Sequence, residues 1–421
     1  MDSPNKLKWT LYISLASMFV FVSVTEVGPF CSFNHSFFSV FREAPVHKYV
    51  IVFDGGSTGT RVHVFTFVNN SSDGHLTLQD AYFEETKPGL SNYADRPHKA
   101  ANSVLNLLEK AKDRIPPNYW DQTPVALKAT AGLRLLPRSN AQSILESVSQ
   151  VFENSPFASN DKSATVLDGE DEGLYAWFTL NFLLGRLSDA NRSVVSLDLG
   201  GGSTQITFTP VMFDTFLRSP KEYVVVKKIE NKTMPIYTHS YLGLGLMSAR
   251  LSILRLSSEN TASSSSSEAV FRSSCVHVQK KFVWKHDTKE YIIKSRKDES
   301  YGFQDCYEKS VQFLGNTVDK PEEIQRREIY ALSYYVDRSV DLGIVGPEGG
   351  IITVGQFVGA CKMSCSDKTP KQNFLCLDCS YISALLMHGL GLDEGKELQL
   401  SKKIDGIDSS WGLGAAFSML S

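Results

Sequence analysis

Apolar and polar positions along the chain follow two periods, and the two kinds of segment alternate. The run VIVFDGGSTGTRVHVF at 50–65 is apolar up to Asp54, breaks at GGST and resumes with the period of two that is typical of a strand. The segments 97–112, 139–152 and 168–185 instead repeat apolar residues at helical spacing. Alternating strands and helices predict an α/β fold, and a length of 421 residues predicts two lobes.

The strand–turn–strand pattern occurs twice. Its second copy, VVSLDLGGGSTQITF at 194–208, again ends an apolar strand on an aspartate, Asp198, shortly before GGST. Glycines allow a tight turn whose backbone N–H groups surround an anion, and Ser and Thr hydroxyls add donors. An aspartate beside a phosphate is repulsive unless a divalent cation lies between them, and Ca²⁺ or Mg²⁺ prefers such oxygen ligands. The repeat therefore predicts two facing turns that bind a polyphosphate and its metal ion.

Composition and charge exclude one class of partner. The content of hydrophobic residues is 42% and that of charged residues 21%, which is typical of a globular chain. A net charge of −3 and an isoelectric point near 6.3 indicate no basic surface. We therefore expect no binding to nucleic acid.

The N-terminal segment differs from the rest of the chain. Lys6 and Lys8 precede 17 uncharged residues at 9–25, a pattern that indicates a membrane signal anchor. A cleaved signal peptide or a buried helix would give the same pattern. Lysines on the N-terminal side favour a cytoplasmic N-terminus and translocation of the rest. We expect one anchor at most, with residues 1–45 as anchor and stalk.

Two further features agree with translocation into an oxidising compartment. Sequons for N-glycosylation begin at Asn34, Asn69, Asn70, Asn191 and Asn231. Six cysteines lie in the second half of the chain, at Cys275, Cys306, Cys361, Cys365, Cys376 and Cys379. The last four, spaced C-x3-C and C-x2-C, would also suit a zinc site with four thiolates.

Five motifs follow one another in a specific order: DGGSTGTR at 54–61, ATAGLRLL at 129–136, DGEDEGLYAWFTLNFLLG at 168–185, LDLGGGSTQITF at 197–208 and SSWGLGAAF at 409–417. As a set they resemble the apyrase family of nucleoside triphosphate diphosphohydrolases, and most closely its endomembrane nucleoside diphosphatases. The resemblance implies an α/β fold of two ribonuclease H-like lobes of the actin-like ATPase type, with the active site in the cleft between them. It places lobe I at 46–170, completed by 405–421, and lobe II at 171–404.

The resemblance also implies an activity and a location. We expect metal-dependent hydrolysis of the terminal phosphate of UDP and GDP, and less of triphosphates, in the lumen of the endoplasmic reticulum or Golgi. The protein would be single-pass with a lumenal catalytic part, or secreted if the N-terminal segment is cleaved. A broad apyrase acting on ATP and ADP, an exopolyphosphatase and a catalytically silent nucleotide-binding protein are the alternatives. The stretches ATAGLRLL and YALSYYVDR count against an exopolyphosphatase. The presence of both Glu172 and Gln205 counts against a protein that binds nucleotides without hydrolysing them.

Roles for individual residues follow from the same resemblance. Glu172 is the general base for the attacking water, and Gln205 and Ser203 position that water. Asp54 and Asp198 hold Ca²⁺ or Mg²⁺ through its waters. The phosphates are bound by residues of the two turns and of the ATAG stretch, namely Gly55, Gly56, Ser57, Thr58, Thr130, Ala131, Gly200, Gly201, Gly202, Ser203 and Thr204.

Some positions leave more than one interpretation open. Gly55 replaces the alanine usual in the family, and Arg61 and Arg134 are either ion-pair partners or phosphate ligands. The nucleobase could contact Trp411, or it could contact Tyr335 together with Tyr334 and Arg338, which lie on one predicted helix. Packing in the core explains these residues equally well. The family's disulfide pattern implies the pairs Cys275–Cys306 and Cys361–Cys376, with Cys365 and Cys379 left for a third bridge.

Overall fold

The computed structural model describes residues 46–69, 76–229, 232–257, 269–277, 281–286, 289–295, 302–367 and 372–420. The hydrophobic segment 9–25 and the sequons at Asn34, Asn70 and Asn231 lie outside the described residues. Among the described residues no helix is both long enough and apolar enough to span a membrane.

The strands are β1 Val46–Gly55, β2 Thr60–Asn69, β3 Leu76–Thr86, β4 Val125–Ala129, β5 Ala164–Val166, β6 Val195–Leu199, β7 Ser203–Phe208, β8 Val224–Ile229, β9 Lys232–Leu242, β10 Ala269–Ser273, β11 Lys281–His286, β12 Lys289–Ser295, β13 Ile329–Ser333, β14 Gly349–Thr353, β15 Glu397–Ser401, β16 Lys403–Ile404 and β17 Ile407–Asp408. The helices are α1 Pro97–Lys112, α2 Ala131–Arg134, α3 Arg138–Glu153, α4 Gly169–Leu183, α5 Phe213–Arg218, α6 Leu246–Ser257, α7 Phe303–Leu314, α8 Tyr334–Asp341, α9 Val354–Ser366, α10 Leu375–Ala384 and α11 Gly412–Leu420.

Two large sheets repeat one topology. The first has the order β3-β2-β1-β4-β5, in which β1 is antiparallel to β2 and parallel to β4. The second has the order β14-β15-β13-β6-β7-β9-β8. Its central five strands, β9-β7-β6-β13-β15, repeat the order and the directions of the first sheet. The repeated turn of the sequence thus belongs to a repeated five-stranded unit, and the predicted fold of two ribonuclease H-like lobes is confirmed.

Helix α4 connects the cores beneath the two sheets. Its residues Ala176 and Leu180 pack in one core with Val50 of β1, and its Trp177 packs in another core with Ile236 of β9. A helix that is apolar on every side is buried on every side, which explains why α4 has no polar face. The C-terminal helix α11 joins the core that contains β1. This packing places the N-terminus of α4 close to the two glycine-rich turns.

The boundaries of the two lobes stay a prediction.

The disulfides confirm one predicted pair and correct another. Cys275 bonds to Cys306, as the family pattern implies. The predicted pair Cys361–Cys376 is wrong, because the bridges are Cys361–Cys379 and Cys365–Cys376. Each of the helices α9 and α10 carries its two cysteines one turn apart. Since the helices follow each other through a short connection and run antiparallel, the inner cysteines pair together and so do the outer ones. The four sulfurs are bonded in pairs, which favours the disulfides over a zinc site.

Candidate active site

The two aspartates of the repeat occupy equivalent positions. Asp54 of β1 pairs across the ladder with Arg61 of β2, and Asp198 of β6 pairs with Gln205 of β7. Both aspartates are buried, at 7% and 6% exposure. The repeated topology therefore places one carboxyl group at the same level of each sheet, where each glycine-rich turn begins.

The two turns lie against each other. A Cβ atom built on Gly201 would lie 2.2 Å from Oγ of Ser57, and one built on Gly202 would lie 2.8 Å from Cβ of Ala131. The backbone N–H of Thr130 donates to the carbonyl of Gly55 at 3.2 Å, so the ATAG stretch borders the first turn. The structure thus brings together the predicted phosphate-binding residues of both turns and of the ATAG stretch.

Each turn is backed by a glycine that the sequence reasoning missed. A Cβ atom built on Gly89, just after β3, would lie 2.3 Å from the carbonyl oxygen of Gly56. One built on Gly245, just after β9, would lie 2.3 Å from the backbone nitrogen of Ser203. Only a residue without a side chain allows such an approach. Each glycine follows the third strand of its repeated unit. This shared position is the feature of the sequence by which the two glycines could have been recognised.

The N-terminus of α6 orients the second turn. The backbone N–H of Leu246 donates to the carbonyl of Gly200 at 2.9 Å, and that of Met247 donates to the carbonyl of Gly201 at 2.9 Å. The N–H of Gly243 donates to the carbonyl of Gly202 at 2.8 Å. These three hydrogen bonds hold the carbonyl groups of the turn and fix its backbone in one conformation. Successive backbone N–H groups in such a turn can bind an anion.

The two aspartates keep unpaired oxygens. Arg61 donates to Oδ2 of Asp54 at 2.9 Å, and Ser333 hydrogen-bonds the carboxyl of Asp198. Among the described residues, Oδ1 of Asp54 and Oδ1 of Asp198 are buried without a hydrogen-bond partner. Burial raises the pKa of both carboxyls, that of Asp198 to about 6, and the proximity of Asp54 adds to the shift at Asp198. Two buried carboxylate oxygens without donors fit a hydrated divalent cation.

Glu172 lies in the first turn of α4, after the N-cap Asp168, whose Oδ1 accepts from the N–H of Glu170 at 2.9 Å. Glu172 is 7% exposed, and its carboxyl accepts from Arg134 and, at 3.2 Å, from Nε2 of Gln205. Burial raises the pKa of Glu172 to about 8, although the Arg134 guanidinium acts in the opposite direction. A carboxyl group with a raised pKa beside a carboxamide is suited to accept a proton near neutral pH.

A network of polar side chains surrounds this carboxyl. Nε2 of Gln205 lies 2.8 Å from Oγ of Ser203 and 3.0 Å from Oγ of Ser240. The Arg134 guanidinium lies 3.5 Å from both serine hydroxyls. The structure places the predicted residues Glu172, Gln205 and Ser203 together. Ser240, on β9, and the ion pair of Arg134 with Glu172 were not assigned from the sequence.

The suggested base contacts at Tyr335 and Trp411 stay predictions, and the packing of both residues favours a structural role. Tyr335 is 2% exposed and Trp411 is 3% exposed, and each packs in a hydrophobic core. Tyr334 is half-buried and lies beside Thr58 of the first turn. Arg338 forms ion pairs of 3.0 and 3.1 Å with acidic side chains of its own lobe.

Comparisons with known proteins agree with the geometry. The GDA1/CD39 (nucleoside phosphatase) family matches residues 41–331 of this chain. A relative from Gallus gallus named ectonucleoside triphosphate diphosphohydrolase 5 is 43% identical over 377 residues, 88% of this chain and 87% of that protein. The human protein named nucleoside diphosphate phosphatase ENTPD5 is 42% identical over 378 residues, with the same shares.

A solved structure shares the fold. The nucleoside triphosphate hydrolases from Neospora caninum superpose with a TM-score of 0.62 at 15% sequence identity. The match covers 88% of this chain and 92% of that chain. The likeness extends over both repeated sheets, so the two-lobed architecture is common to the two proteins.

Proposed function

Because this chain belongs to the GDA1/CD39 (nucleoside phosphatase) family, we propose that it hydrolyses the terminal phosphate of nucleoside diphosphates, UDP and GDP above all. The products are the nucleoside monophosphate and inorganic phosphate. Two relatives of about 42% identity, one of them named a nucleoside diphosphate phosphatase, support the reaction class.

The observation that carries the proposal is the position of Glu172 beside Gln205, next to the turn that begins at Gly200. In its ionised form the Glu172 carboxylate accepts a proton from a water molecule, which then attacks the terminal phosphorus. Gln205 and Ser203 hold this water in reach of the carboxylate. The Arg134 guanidinium favours the ionised form of Glu172 through the ion pair.

The turns bind the phosphates. Backbone amides of Gly201 to Ser203 and the hydroxyls of Ser57 and Thr58 surround the phosphate oxygens. Most of phosphoryl transfer consists of positioning and of neutralising charge, which these groups supply without covalent chemistry. The two turns border each other at contact distance, which supports a role for both turns at a single terminal phosphate and its metal ion. We expect triphosphates to be poorer substrates than diphosphates on that ground.

Asp54 and Asp198 would hold Ca²⁺ or Mg²⁺, since each keeps a buried oxygen without a donor among the described residues. When bound, such a cation neutralises charge on the phosphoryl oxygens. Without it, the two carboxylates would repel the substrate.

We place the reaction in the lumen of the endoplasmic reticulum or Golgi, with the chain anchored through the segment 9–25, or secreted if that segment is cleaved. Three disulfides and an exposed Asn191 sequon support this location. Glycosyltransferases that use sugar nucleotides release UDP or GDP there, and hydrolysis to the monophosphate would relieve inhibition by that product.

The experiment is phosphate release by the full chain from UDP, GDP, ADP, UTP, ATP and polyphosphate, with Ca²⁺, with Mg²⁺ and with EDTA. We expect kcat/KM for UDP or GDP at least ~10-fold above that for ADP, which is about 1.4 kcal/mol of differential transition-state binding. Equal rates with ATP, ADP and UDP would make the protein a broad apyrase. Preference for polyphosphate would make it an exopolyphosphatase.

A further inference from the structure

The repeated sheets carry two equivalent rows of side chains across their first three strands. In each row the residue on the second strand is paired with the aspartate on one side and with a residue of the third strand on the other. The rows are Asp54–Arg61–Glu85 in the first sheet and Asp198–Gln205–Ser240 in the second.

In the first row the third-strand residue fixes the second-strand side chain. Nη2 of Arg61 lies 3.0 Å from Oε1 of Glu85, while its Nη1 lies 2.9 Å from Oδ2 of Asp54. A guanidinium held at both ends has one orientation, because its fork of donors is planar. The first row is therefore a charged network that holds Asp54.

In the second row the same position is taken by a neutral pair. Oγ of Ser240 lies 3.0 Å from Nε2 of Gln205, and the same nitrogen approaches Ser203 and Glu172. An ionised carboxylate only accepts, so the amino end of the carboxamide faces Glu172, and its two N–H groups are shared among that carboxylate and the two serine oxygens. The carbonyl end, Oε1, is then left as an acceptor for a water molecule.

The molecule makes room for the hydroxyl of Ser240. A Cβ atom built on Gly169, at the start of α4, would lie 2.3 Å from Oγ of Ser240 and 2.5 Å from Nη1 of Arg134. The hydroxyl also lies 3.5 Å from that Nη1, so it borders both groups that contact Glu172. A side chain at 169 would push Ser240 out of reach of Gln205.

We propose that Ser240 is the positioning residue of the hydrolysis: its hydroxyl fixes the Gln205 carboxamide, and through it the attacking water beside Glu172. This inference rests on the proposed function and adds a residue to it. Ser240 acts through Gln205 and touches neither phosphate nor metal.

The test compares S240A, Q205A and the double variant Q205A/S240A in the full chain, with UDP as substrate. We expect S240A to lower kcat by about 10-fold, because small misplacement of a catalytic group costs up to about 100-fold, and to leave KM within about twofold. The double variant should be no slower than Q205A alone, since Ser240 is proposed to act through its 3.0 Å contact with Gln205 and not through the longer 3.5 Å contact with Arg134. A purely structural serine would not give this coupling.

Thr238 provides a matched control on the same strand and face. Its hydroxyl lies 2.8 Å from that of Thr207 and contacts neither Gln205 nor Arg134. We expect T238V to keep kcat within about twofold of the unmodified chain. Should S240A fail to fold, S240C takes its place with the same expected coupling.

The outcomes separate the two claims. A kcat of S240A within twofold of the unmodified chain, or losses that multiply in the double variant, overturns the role of Ser240 alone. An unmodified chain that releases no phosphate from any nucleoside diphosphate overturns the proposed function, and this inference with it.

Discussion

Replacing the proposed base, Glu172, tests the chemistry most sharply, because Glu172→Gln keeps the shape of the side chain and removes only its ionisable oxygen. The glutamine carbonyl can still accept from Arg134, so the ion pair becomes a hydrogen bond and the fold is preserved. A positioned base contributes roughly 10²–10⁴-fold to the rate, and kcat should fall by that factor. The loss corresponds to about 2.7–5.4 kcal/mol of transition-state stabilisation.

The pH dependence gives a second measure of the same group. The pKa of Glu172 is raised to about 8 by burial, so at pH 7 only roughly one-tenth of the metal-free protein carries the ionised base. The rate should therefore rise with pH as the base loses its proton. A bound cation favours the carboxylate and moves this rise toward lower pH, to a value between 8 and that of an ordinary glutamate. In Glu172→Gln the residual rate should show no such rise.

The assay is steady-state phosphate release from UDP between pH 5 and 9, for the unmodified chain, Glu172→Gln and Glu172→Asp. The aspartate side chain keeps the charge but is shorter by one methylene group. We therefore expect kcat to fall by up to about 100-fold, with the pH dependence retained. Binding of a non-hydrolysable UDP analogue and a thermal melt serve as controls. A folded Glu172→Gln with kcat within tenfold of the unmodified chain would refute the assignment, and so would an unchanged pH profile.

Three further predictions concern the metal, the second turn and the topology. Without metal, the free energy of unfolding should decrease from about pH 4 to about pH 8, because the folded state keeps protons on Asp198 (pKa about 6) and Glu172 (pKa about 8) that the unfolded state has released. Ca²⁺ should therefore raise Tm more at pH 8 than at pH 5, and Asp198→Asn should remove most of that rise; equal shifts at both pH values would count against the metal site. Gly245→Ala should lower the free energy of unfolding by about 1–3 kcal/mol and reduce activity more than tenfold, since its Cβ would meet the backbone of the second turn. Gly359→Ala, inside helix α9, meets no atom within 4 Å, so it should leave activity unchanged and raise the free energy of unfolding by up to about 1 kcal/mol. Endoglycosidase should increase the mobility of the expressed protein through loss of a glycan at Asn191, and the catalytic part should resist protease in sealed microsomes; digestion from the cytosolic side would reverse the orientation.

Local patterns predicted the parts of the site that lie on the turns. Each apolar strand, its terminal aspartate and its GGST turn are contiguous in sequence, so their relation to Asp54 and Asp198 needs no knowledge of the rest of the fold. The role of Glu172 was assigned from the family resemblance, and only its place after a capping aspartate at the start of an apolar helix is a local pattern.

The residues that were missed depend on strand register. Ser240 is one of several polar residues in β9, 35 positions after Gln205, and only the pairing of β7 with β9 places the two together. Gly89 and Gly245 require the same knowledge for the third strand of each unit. Their functional neighbours are set by hydrogen-bond ladders, which a single sequence does not specify.

The disulfide correction has a tertiary cause. The pairing of Cys361 with Cys379 depends on how α9 and α10 pack, which cysteine spacing alone leaves open. Tyr335 and Trp411 lie within sequence motifs, yet both pack in hydrophobic cores. The position of an aromatic residue within a motif is therefore no indication by itself that it contacts a ligand.

In the proposed mechanism, water held by Glu172 and Gln205 attacks the terminal phosphorus of a nucleoside diphosphate. Hydrolysis of UDP by the full chain in ¹⁸O-labelled water, with Ca²⁺ present and the products analysed by mass spectrometry, tests it directly. We expect one ¹⁸O atom in the released inorganic phosphate and none in UMP. Label in UMP would place the attack at the other phosphorus, and absence of phosphate release would overturn the proposed hydrolysis altogether.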